Sequence, residues 1–288
     1  MDPSGPKALR DTEKNKRALA SYLIGRTVLQ ECVSVLAPLG IPVVPLKGIW
    51  LQQFVYRDHT TRLITDVDVL VRQSDYKRAQ QALLQAGWQR HVEDVAESSF
   101  LAQGLPLAID LHLDLYTRGA FRTSLPAIFE RARPDSEAFG CPVLLPEPLD
   151  VLSHLVGHAL KGGSAWAGAG NEFSDIPRLA QTFELAPEHC AARLVDNGLA
   201  RAARFVLPLT AAHDPGGFGA RTLACLPDDP LGEKLAQTAR RWQHAQPNNT
   251  RAHTVVGFML DSSLWRGGYA LSLRVLDLRR RAAALSGR

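Results

Sequence analysis

The sequence predicts an α+β domain that is followed by an α-helical domain. Residues 65–71 and 107–116 alternate between apolar and polar side chains, as half-buried strands do. Helical patterns lie between these two strands without a repeated βαβ period, and helical patterns alone follow after about residue 145. We therefore expect an N-terminal tail and helix over residues 1–40, a mixed sheet flanked by helices over 41–145, and an α-helical domain over 146–288.

The elements of the first half follow from local pattern and from punctuation by glycine. The patterns predict a loose tail (1–11), a helix (12–39), a short extended run (43–48), a second helix (49–56) and a loop (57–64). They then predict a strong strand (65–71), a third helix (75–86), two weaker strands (88–92 and 99–102) and a second strong strand (107–116).

The second half has helical periodicity interrupted by glycine, proline and asparagine. Pro148 suits a first helical turn, where its missing N–H group costs no hydrogen bond. The glycine-rich residues 162–170 are expected to form a loop. Helices are predicted over residues 148–161, 173–184, 187–196, 198–212, 231–244 and 269–284.

The composition is that of a globular protein and sets limits on function. The 288 residues are 45% hydrophobic and carry a net charge of +4, which is too dispersed to indicate a nucleic-acid surface and argues against long RNA as a partner. The four cysteines are far apart and include no CxxC, which argues against a zinc knot or a disulfide framework and fits a reducing cytoplasm. We expect neither a signal peptide nor a membrane span, and the oligomeric state is left open.

Asp66 and Asp68 share one face of the predicted strand, because side chains alternate along a strand. Two such carboxylates repel each other, and a divalent cation relieves the repulsion, since carboxylate oxygens are the ligands that Mg²⁺ prefers. Taken alone, this pair fits a half-exposed structural strand equally well.

The second strand places Asp110, His112 and Asp114 together on one face. If the two strands are neighbours, Asp110 or Asp114 completes a three-carboxylate cluster with the Asp66 pair. Such a cluster can hold one or two Mg²⁺ ions for phosphoryl or nucleotidyl transfer.

Lys47 and Gly48 lie where an extended run turns into a helix. A glycine there admits a phosphate to backbone N–H groups at the helix N-terminus, and Lys47 adds a cation. A plain turn glycine explains the same fragment more simply. Arg62, in the following loop, is placed either to pair with phosphates or with the acidic residues.

Together these residues resemble one family, the uncharacterised branch of the nucleotidyltransferase superfamily, which has the polymerase-β-like fold. Most of that superfamily has Gly-Ser at the turn, whereas this branch has Lys-Gly. The similarity covers about residues 40–180. It rests on Lys47-Gly48, Tyr56-x-Asp58, Arg62, the Asp-x-Asp of Asp66 and Asp68, and the Asp-x-His of Asp110 and His112.

The resemblance implies a metal-dependent enzyme that transfers an NMP from an NTP, such as ATP, to an acceptor. It prefers Asp110 over Asp114 as the third carboxylate, and it makes Asp66, Asp68 and Asp110 both catalytic and metal-binding. Lys47, Gly48 and Arg62 are expected to hold the triphosphate, with Mg²⁺, or alternatively Mn²⁺, as the metal. The acceptor (small molecule, peptide or protein) and the NTP are not indicated by the sequence.

Two other interpretations compete with this one. A non-catalytic module could retain the fold and bind a nucleotide or a partner protein. A helical metallohydrolase could use His154, His158 and Asp175, but the metalloprotease pattern requires glutamate after the first histidine and Leu155 stands there. We expect these histidines to be structural or substrate-lining, and Asp175 to cap its helix.

Overall fold

A computed structural model describes residues 6–93, 97–116, 120–160, 171–245, 260–261 and 268. The loop predicted over residues 162–170 and the helix predicted over 269–284 lie outside the described residues. The chain divides into two compact units. The first comprises Met1–Asp114 and Leu125–Glu147, and the second comprises Leu115–Ser124 and Pro148–Arg288.

The first unit combines four helices with a five-stranded mixed sheet and a two-stranded hairpin. The predicted α+β class is therefore confirmed. A short 3₁₀ turn, Ala37–Leu39, follows the first helix. The elements are α1 (Pro6–Leu36), β1 (Val44–Pro45), α2 (Lys47–Phe54), β2 (Asp66–Leu70), α3 (Tyr76–Gln85), β3 (Gln89–Glu93), β4 (Glu97–Leu101), β5 (Ala108–His112), α4 (Leu125–Arg131), β6 (Arg133–Asp135) and β7 (Val143–Leu145).

The large sheet has the strand order β1-β2-β5-β4-β3. Strands β2 and β5 run parallel, and the other three pairings are antiparallel. The two strongly alternating segments of the sequence are therefore hydrogen-bonded neighbours, and β4 lies on the far side of β5. This arrangement brings side chains from three strands into one row across the sheet.

The hydrophobic core of the first unit lies against one face of this sheet. On β2 the side chains of Val67 and Val69 are fully buried in it, and on β5 Ile109 and Leu111 are. Helix α1 packs on both strands through a buried stripe at helical spacing: Val28, Leu29, Cys32, Val33 and Leu36. The polar residues that alternate with the core residues consequently lie on the opposite face of the sheet.

The structure corrects the predicted boundaries at two places in this unit. Helix α1 begins at Pro6, so the predicted loose tail over residues 1–11 is wrong from that residue onward. The strand predicted over residues 107–116 ends at His112, because the register with both neighbours ends there: His112 pairs with Leu70 on β2 and with Glu97 on β4. Asp114 therefore lies beyond the strand.

The second unit is helical in its described part. Its helices include residues of each predicted helix that lies in the described chain, and they add one that was not predicted, Phe218–Ala224. We number them α5 (Pro148–His158), α6 (Glu172–Thr182), α7 (Pro187–Asp196), α8 (Ala200–Val206), α9 (Phe218–Ala224) and α10 (Pro230–Ala245).

Two predictions for the second unit are corrected. The helix predicted over residues 198–212 changes to a 3₁₀ helix at Leu207; Pro208 has no N–H group for the α-helical pattern. Asp175 does not cap α6: the N-cap is Asn171, and Asp175 is fully buried in the first turn of the helix. Within the described ranges, no helix has the length and apolarity needed to cross a bilayer.

Candidate metal centre

The centre of the site is a row of polar side chains across strands β2, β5 and β4. Asp68 lies opposite Asp110 in the parallel pairing, and Ser99 lies opposite Asp110 on the other side. Since laterally paired residues present their side chains on the same face, the two carboxylates and the hydroxyl are neighbours. The adjacency of the two strands, assumed from sequence, is thus confirmed.

A second row lies one step further along the strands and contains His112. Glu97 is its partner across β4 and β5. The imidazole is almost completely buried; its Nε2 lies 2.8 Å from Asp68 Oδ1, and its Nδ1 lies 3.2 Å from Glu97 Oε2. Both ring nitrogens therefore lie near carboxylates, but only the Nε2 contact has hydrogen-bond geometry.

Lys47 contacts the same carboxylate oxygen as His112. The backbone N–H of Leu46 donates to the Asp68 carbonyl at 2.9 Å, which places the start of α2 beside β2. Lys47 is the first residue of α2, and its Nζ lies 2.5 Å from Asp68 Oδ1. Its backbone has a φ of 41°, a left-handed conformation that is uncommon for a residue with a side chain and is found often at functional sites.

The two cationic or donor partners determine the charge of Asp68. Burial by itself would raise the pKa of this carboxyl, but the Lys47 ammonium and the His112 hydrogen bond outweigh burial and hold the pKa well below its ordinary value. Burial likewise opposes the charge of Lys47, and the Asp68 carboxylate more than compensates, so the lysine pKa is raised. Lys47 and His112 therefore keep Asp68 in its anionic form.

Asp66 and Asp110 have the opposite electrostatic character. Burial and the neighbouring Asp68 carboxylate raise the pKa of Asp66 to about 6. Burial raises the pKa of Asp110 as well; the Ser99 hydrogen bond opposes this effect, and the Asp68 carboxylate adds a smaller contribution that raises the pKa further. These two carboxylates are therefore under-compensated in the protein alone, and a bound cation would stabilise their charged forms.

We expect Asp66→Asn to stabilise the metal-free protein at pH 8 by about 2 kcal/mol, because ionised Asp66 opposes folding when its folded-state pKa exceeds that of the unfolded chain. A raised pKa favours the protonated folded state, so the difference shrinks as the pH falls below about 6 and vanishes below the ordinary value of 3.8. Urea unfolding in EDTA at pH 8 and pH 4 measures it, with exposed Asp228→Asn as the control. A destabilised Asp66→Asn at pH 8 would contradict this account.

Gly48 and Arg62 are in close contact. A Cβ at Gly48 would lie 2.8 Å from Arg62 Nη1, so the missing side chain makes room for the guanidinium. The backbone carbonyl of Arg62 accepts a hydrogen bond from the buried Gln52 side chain of α2. The sequence predicts that the space at Gly48 admits a phosphate; in the structure the Arg62 side chain lies there.

The loop between α2 and β2 is held by its own polar residues and by α1. Asp58 Oδ1 accepts hydrogen bonds from the Thr60 N–H at 3.2 Å and from the Thr61 hydroxyl at 3.4 Å, which is a local turn. Ser21 Oγ accepts from the Ile64 N–H at 3.0 Å. Asp58 of the Tyr-x-Asp motif thus shapes the loop that carries Arg62.

Three side chains of the site have ligand atoms close enough to converge on one cation. Atoms of Asp68, Asp110 and His112 all lie within 4.8 Å of one another. Opposite ligands around an octahedral ion with bonds of about 2.1 Å are about 4.2 Å apart, so these donors need only small shifts to hold one. Carboxylate oxygens with one imidazole suit a divalent metal, and the site fits such an ion. Asp66 is not one of the three, although its charge interacts with Asp68, Asp110 and Lys47.

Sequence reasoning missed Glu97 and Ser99, both on β4. The weak strand signal was placed at residues 99–102, whereas β4 begins at Glu97. Alternation within Glu97-Ser98-Ser99 puts the first and third residues on one face, a signal that becomes informative only when β4 is known to lie beside β5.

Two histidines of the second unit, His154 and His158, contact each other, and His158 also contacts a glutamate. His154 and His158 lie on α5 with ring centroids 5.8 Å apart, and His158 Nδ1 lies 2.9 Å from Glu172 Oε1. Across the part of the chain that the structure describes, these two histidines and Asp175 are not among the groups of three converging metal ligands. The contact between His158 and Glu172 agrees with a structural role.

Comparison with protein-family models identifies a family. The model of a family described as "Uncharacterised nucleotidyltransferase" matches residues 9–213 of the chain. That range contains most of α1, the whole five-stranded sheet and the second unit as far as the 3₁₀ helix after α8. A search of curated proteins finds no significant match.

Proposed function

Because the chain belongs to this uncharacterised nucleotidyltransferase family, we propose that it transfers a nucleoside monophosphate from an NTP to an acceptor in a metal-dependent reaction. One observation carries the proposal: the register of β2 and β5 places Asp68 directly opposite Asp110, with Asp66 on the same strand face. Nucleotidyl transfer needs such a set of carboxylates, because the triphosphate and the leaving pyrophosphate are polyanions that must be neutralised by cations.

We assign metal binding to Asp66, Asp68 and Asp110. Asp68, whose pKa is well below its ordinary value, anchors the cation as a carboxylate, and the raised pKa values of the other two carboxyls indicate charge that a cation would compensate. A bound Mg²⁺ or Mn²⁺ supplies neutralisation of the triphosphate and acidification of the attacking hydroxyl.

Asp110 is also placed to accept the acceptor proton. Its carboxyl is partly exposed and hydrogen-bonded to Ser99, and a carboxylate within hydrogen-bonding reach of the acceptor hydroxyl can act as its base. In the proposed step the acceptor oxygen bonds to the α-phosphorus, the bond from that phosphorus to the pyrophosphate oxygen breaks, and the acceptor proton passes to Asp110.

We assign the triphosphate to Lys47, Gly48 and Arg62. The ammonium of Lys47 lies against Asp68, so it is close to the place where a metal ion would join the phosphates to the carboxylates. Arg62 lies over Gly48 at the N-terminus of α2, where the helix dipole also favours anions. Both cations are thus on the α2 side of the carboxylate row.

Replacing Gly48 by alanine tests the Arg62 placement. The added methyl group would lie 2.8 Å from Nη1 and displace the guanidinium, so we expect the KM for the NTP to rise about 10-fold, in line with one lost charge-assisted hydrogen bond. Steady-state kinetics measure this. Gly216→Ala is the matched control, because open space surrounds Gly216. An unchanged KM in Gly48→Ala would remove Arg62 from triphosphate binding.

The acceptor is the open part of the proposal. A small molecule, a peptide and a protein side chain all offer the required nucleophile, and we propose one of these classes over RNA because the charge of the chain is modest. The test is incubation with each α-³²P-labelled NTP, Mg²⁺ or Mn²⁺ and cell extract, followed by mass analysis of labelled products. A mass increase equal to one NMP supports the proposal; label recovered only as free nucleotide contradicts it.

A non-catalytic nucleotide-binding module is the alternative, and the full set of three aspartates argues against it, since binding alone needs fewer carboxylates. Calorimetric titration with ATP, with and without Mg²⁺, separates the two. Tight metal-dependent binding with no product after prolonged incubation would favour the module.

A further inference from the structure

His112 lies between Asp68 and Glu97, and it has no role in the proposed reaction so far. Its side chain is 1% exposed, so the ring has no alternative orientation in solvent. Nε2 points toward Asp68 and Asp110, and Nδ1 points toward Glu97 on the next strand. We propose that His112 is a direct ligand of the active-site metal, held in place by Glu97, and that the site consequently prefers a transition ion such as Mn²⁺ over Mg²⁺. This rests on the proposed function.

The donor atoms have nearly the spacing of two ligands of one ion. In the metal-free protein His112 Nε2 and Asp68 Oδ1 are hydrogen-bonded at 2.8 Å. Neighbouring ligands around an octahedral ion with bonds of about 2.1 Å are about 3 Å apart, so an ion that replaces the shared proton requires little movement of either atom. Asp110 adds the third donor within 4.8 Å.

The other ring nitrogen has a carboxylate beside it. A histidine that binds a metal usually donates its second N–H to a carboxylate, which fixes the tautomer and directs the free lone pair to the ion. Glu97 Oε2 lies 3.2 Å from His112 Nδ1, and the β4–β5 register keeps the two residues opposite each other. This contact does not have hydrogen-bond geometry, so Nδ1 is a buried donor position whose nearest acceptor is Glu97. We assign Glu97 as the positioning residue that accepts this N–H when Nε2 binds the ion.

The donor set also bears on the identity of the ion. Mg²⁺ prefers oxygen ligands and rarely exchanges its bound water for a nitrogen ligand, whereas first-row transition ions bind imidazole readily. A donor set of two carboxylates and one imidazole should thus bind Mn²⁺ more tightly than Mg²⁺. The same site built from three carboxylates alone would discriminate less.

Pulsed EPR of Mn²⁺ bound to the wild-type protein, unlabelled and ¹⁵N-histidine-labelled, tests the inference without turnover. We expect a histidine nitrogen coupling that persists in His91→Gln, an exposed histidine on β3, and disappears in His112→Gln. A wild-type spectrum with no nitrogen coupling, or no Mn²⁺ binding at all, would overturn the proposal. Because the decisive spectrum is that of the wild type, the result does not depend on the folding of a variant.

Calorimetry with Mn²⁺ and with Mg²⁺ supplies the second readout. His112→Gln and Glu97→Gln are each expected to weaken Mn²⁺ binding about 10–100-fold, with a smaller effect of His112→Gln on Mg²⁺. Equal weakening of both ions by His112→Gln would mean that the ring only supports Asp68, and would overturn the proposal. An all-oxygen Mn²⁺ site with measured NMP transfer refutes only this inference, whereas nitrogen ligation without NMP transfer refutes only the proposed function.

Discussion

Asparagine in place of Asp68 is expected to lower the rate of NTP-dependent pyrophosphate release about 10³-fold, a rise of roughly 4 kcal/mol in the barrier. Asp68 is the residue on which the site converges: Lys47 and His112 both contact its Oδ1, and Asp110 lies opposite it. The amide keeps the shape of the side chain and removes the negative charge that would anchor the cation. Coupled detection of pyrophosphate at saturating NTP and metal measures the loss.

Folding must be checked in the same experiment, because Lys47 loses its counter-charge when Asp68 is neutralised. Circular dichroism and thermal unfolding of Asp68→Asn identify a folded sample, and Asp228→Asn, an exposed aspartate, serves as the matched control. A folded Asp68→Asn protein that retains a rate within threefold of the wild type would remove Asp68 from catalysis.

Methionine in place of Lys47 is expected to raise the KM for the NTP about 10–100-fold, the effect of losing a charge-assisted contact with phosphate. The variant should also be destabilised by about 3 kcal/mol in the absence of metal, because buried Asp68 loses its ion-pair partner. Lys47 holds the pKa of Asp68 down, so the pKa of that carboxyl should rise. Steady-state kinetics and urea unfolding in EDTA provide the two measurements.

Lys77→Met is the control for this variant, since Lys77 is exposed on α3 of the same unit. Added divalent metal should restore part of the lost stability, because a cation on Asp68 replaces the ammonium. A Lys47→Met protein with wild-type KM and wild-type stability would show that the contact with Asp68 is incidental.

The local half of the site could be predicted from the sequence because it depends on short-range alternation. Val67 and Val69 enter the core, so Asp66 and Asp68 must face away from it. The same reasoning applies to Ile109 and Leu111 around Asp110. What the pattern could not provide is the order of the strands, because the pairing of β2 with β5 joins segments about 40 residues apart.

The contacts that depend on that order were accordingly missed. Glu97 and Ser99 become part of the site only through the pairing of β4 with β5. Arg62 contacts Gly48 because the loop before β2 folds back onto α2, and the residue types alone do not predict this contact. The early end of β5 has the same origin: His112 is the last residue with partners on both sides, so the alternation that continues to Tyr116 has no sheet to join.

The helical half was predicted where periodicity and punctuation agree and was wrong where a single residue overrode them. Helix α7 follows its predicted limits, with proline in its first turn. At Leu207 the apolar pattern continues, yet Pro208 changes the hydrogen bonding to 3₁₀. Asp175 is of a residue type that often caps helices, but it is buried within the first turn of α6.

Transfer of the α-phosphate is the most direct test of the central claim. Wild-type protein and the Asp66→Asn, Asp68→Asn double variant are incubated with α-labelled and, separately, γ-labelled NTP, divalent metal and cell extract. We expect the wild type to attach the α-label to an acceptor and to release the γ-label as pyrophosphate in equal amount, and the double variant to do neither. Equal turnover by the double variant, or γ-label attached to the acceptor, would contradict this expectation.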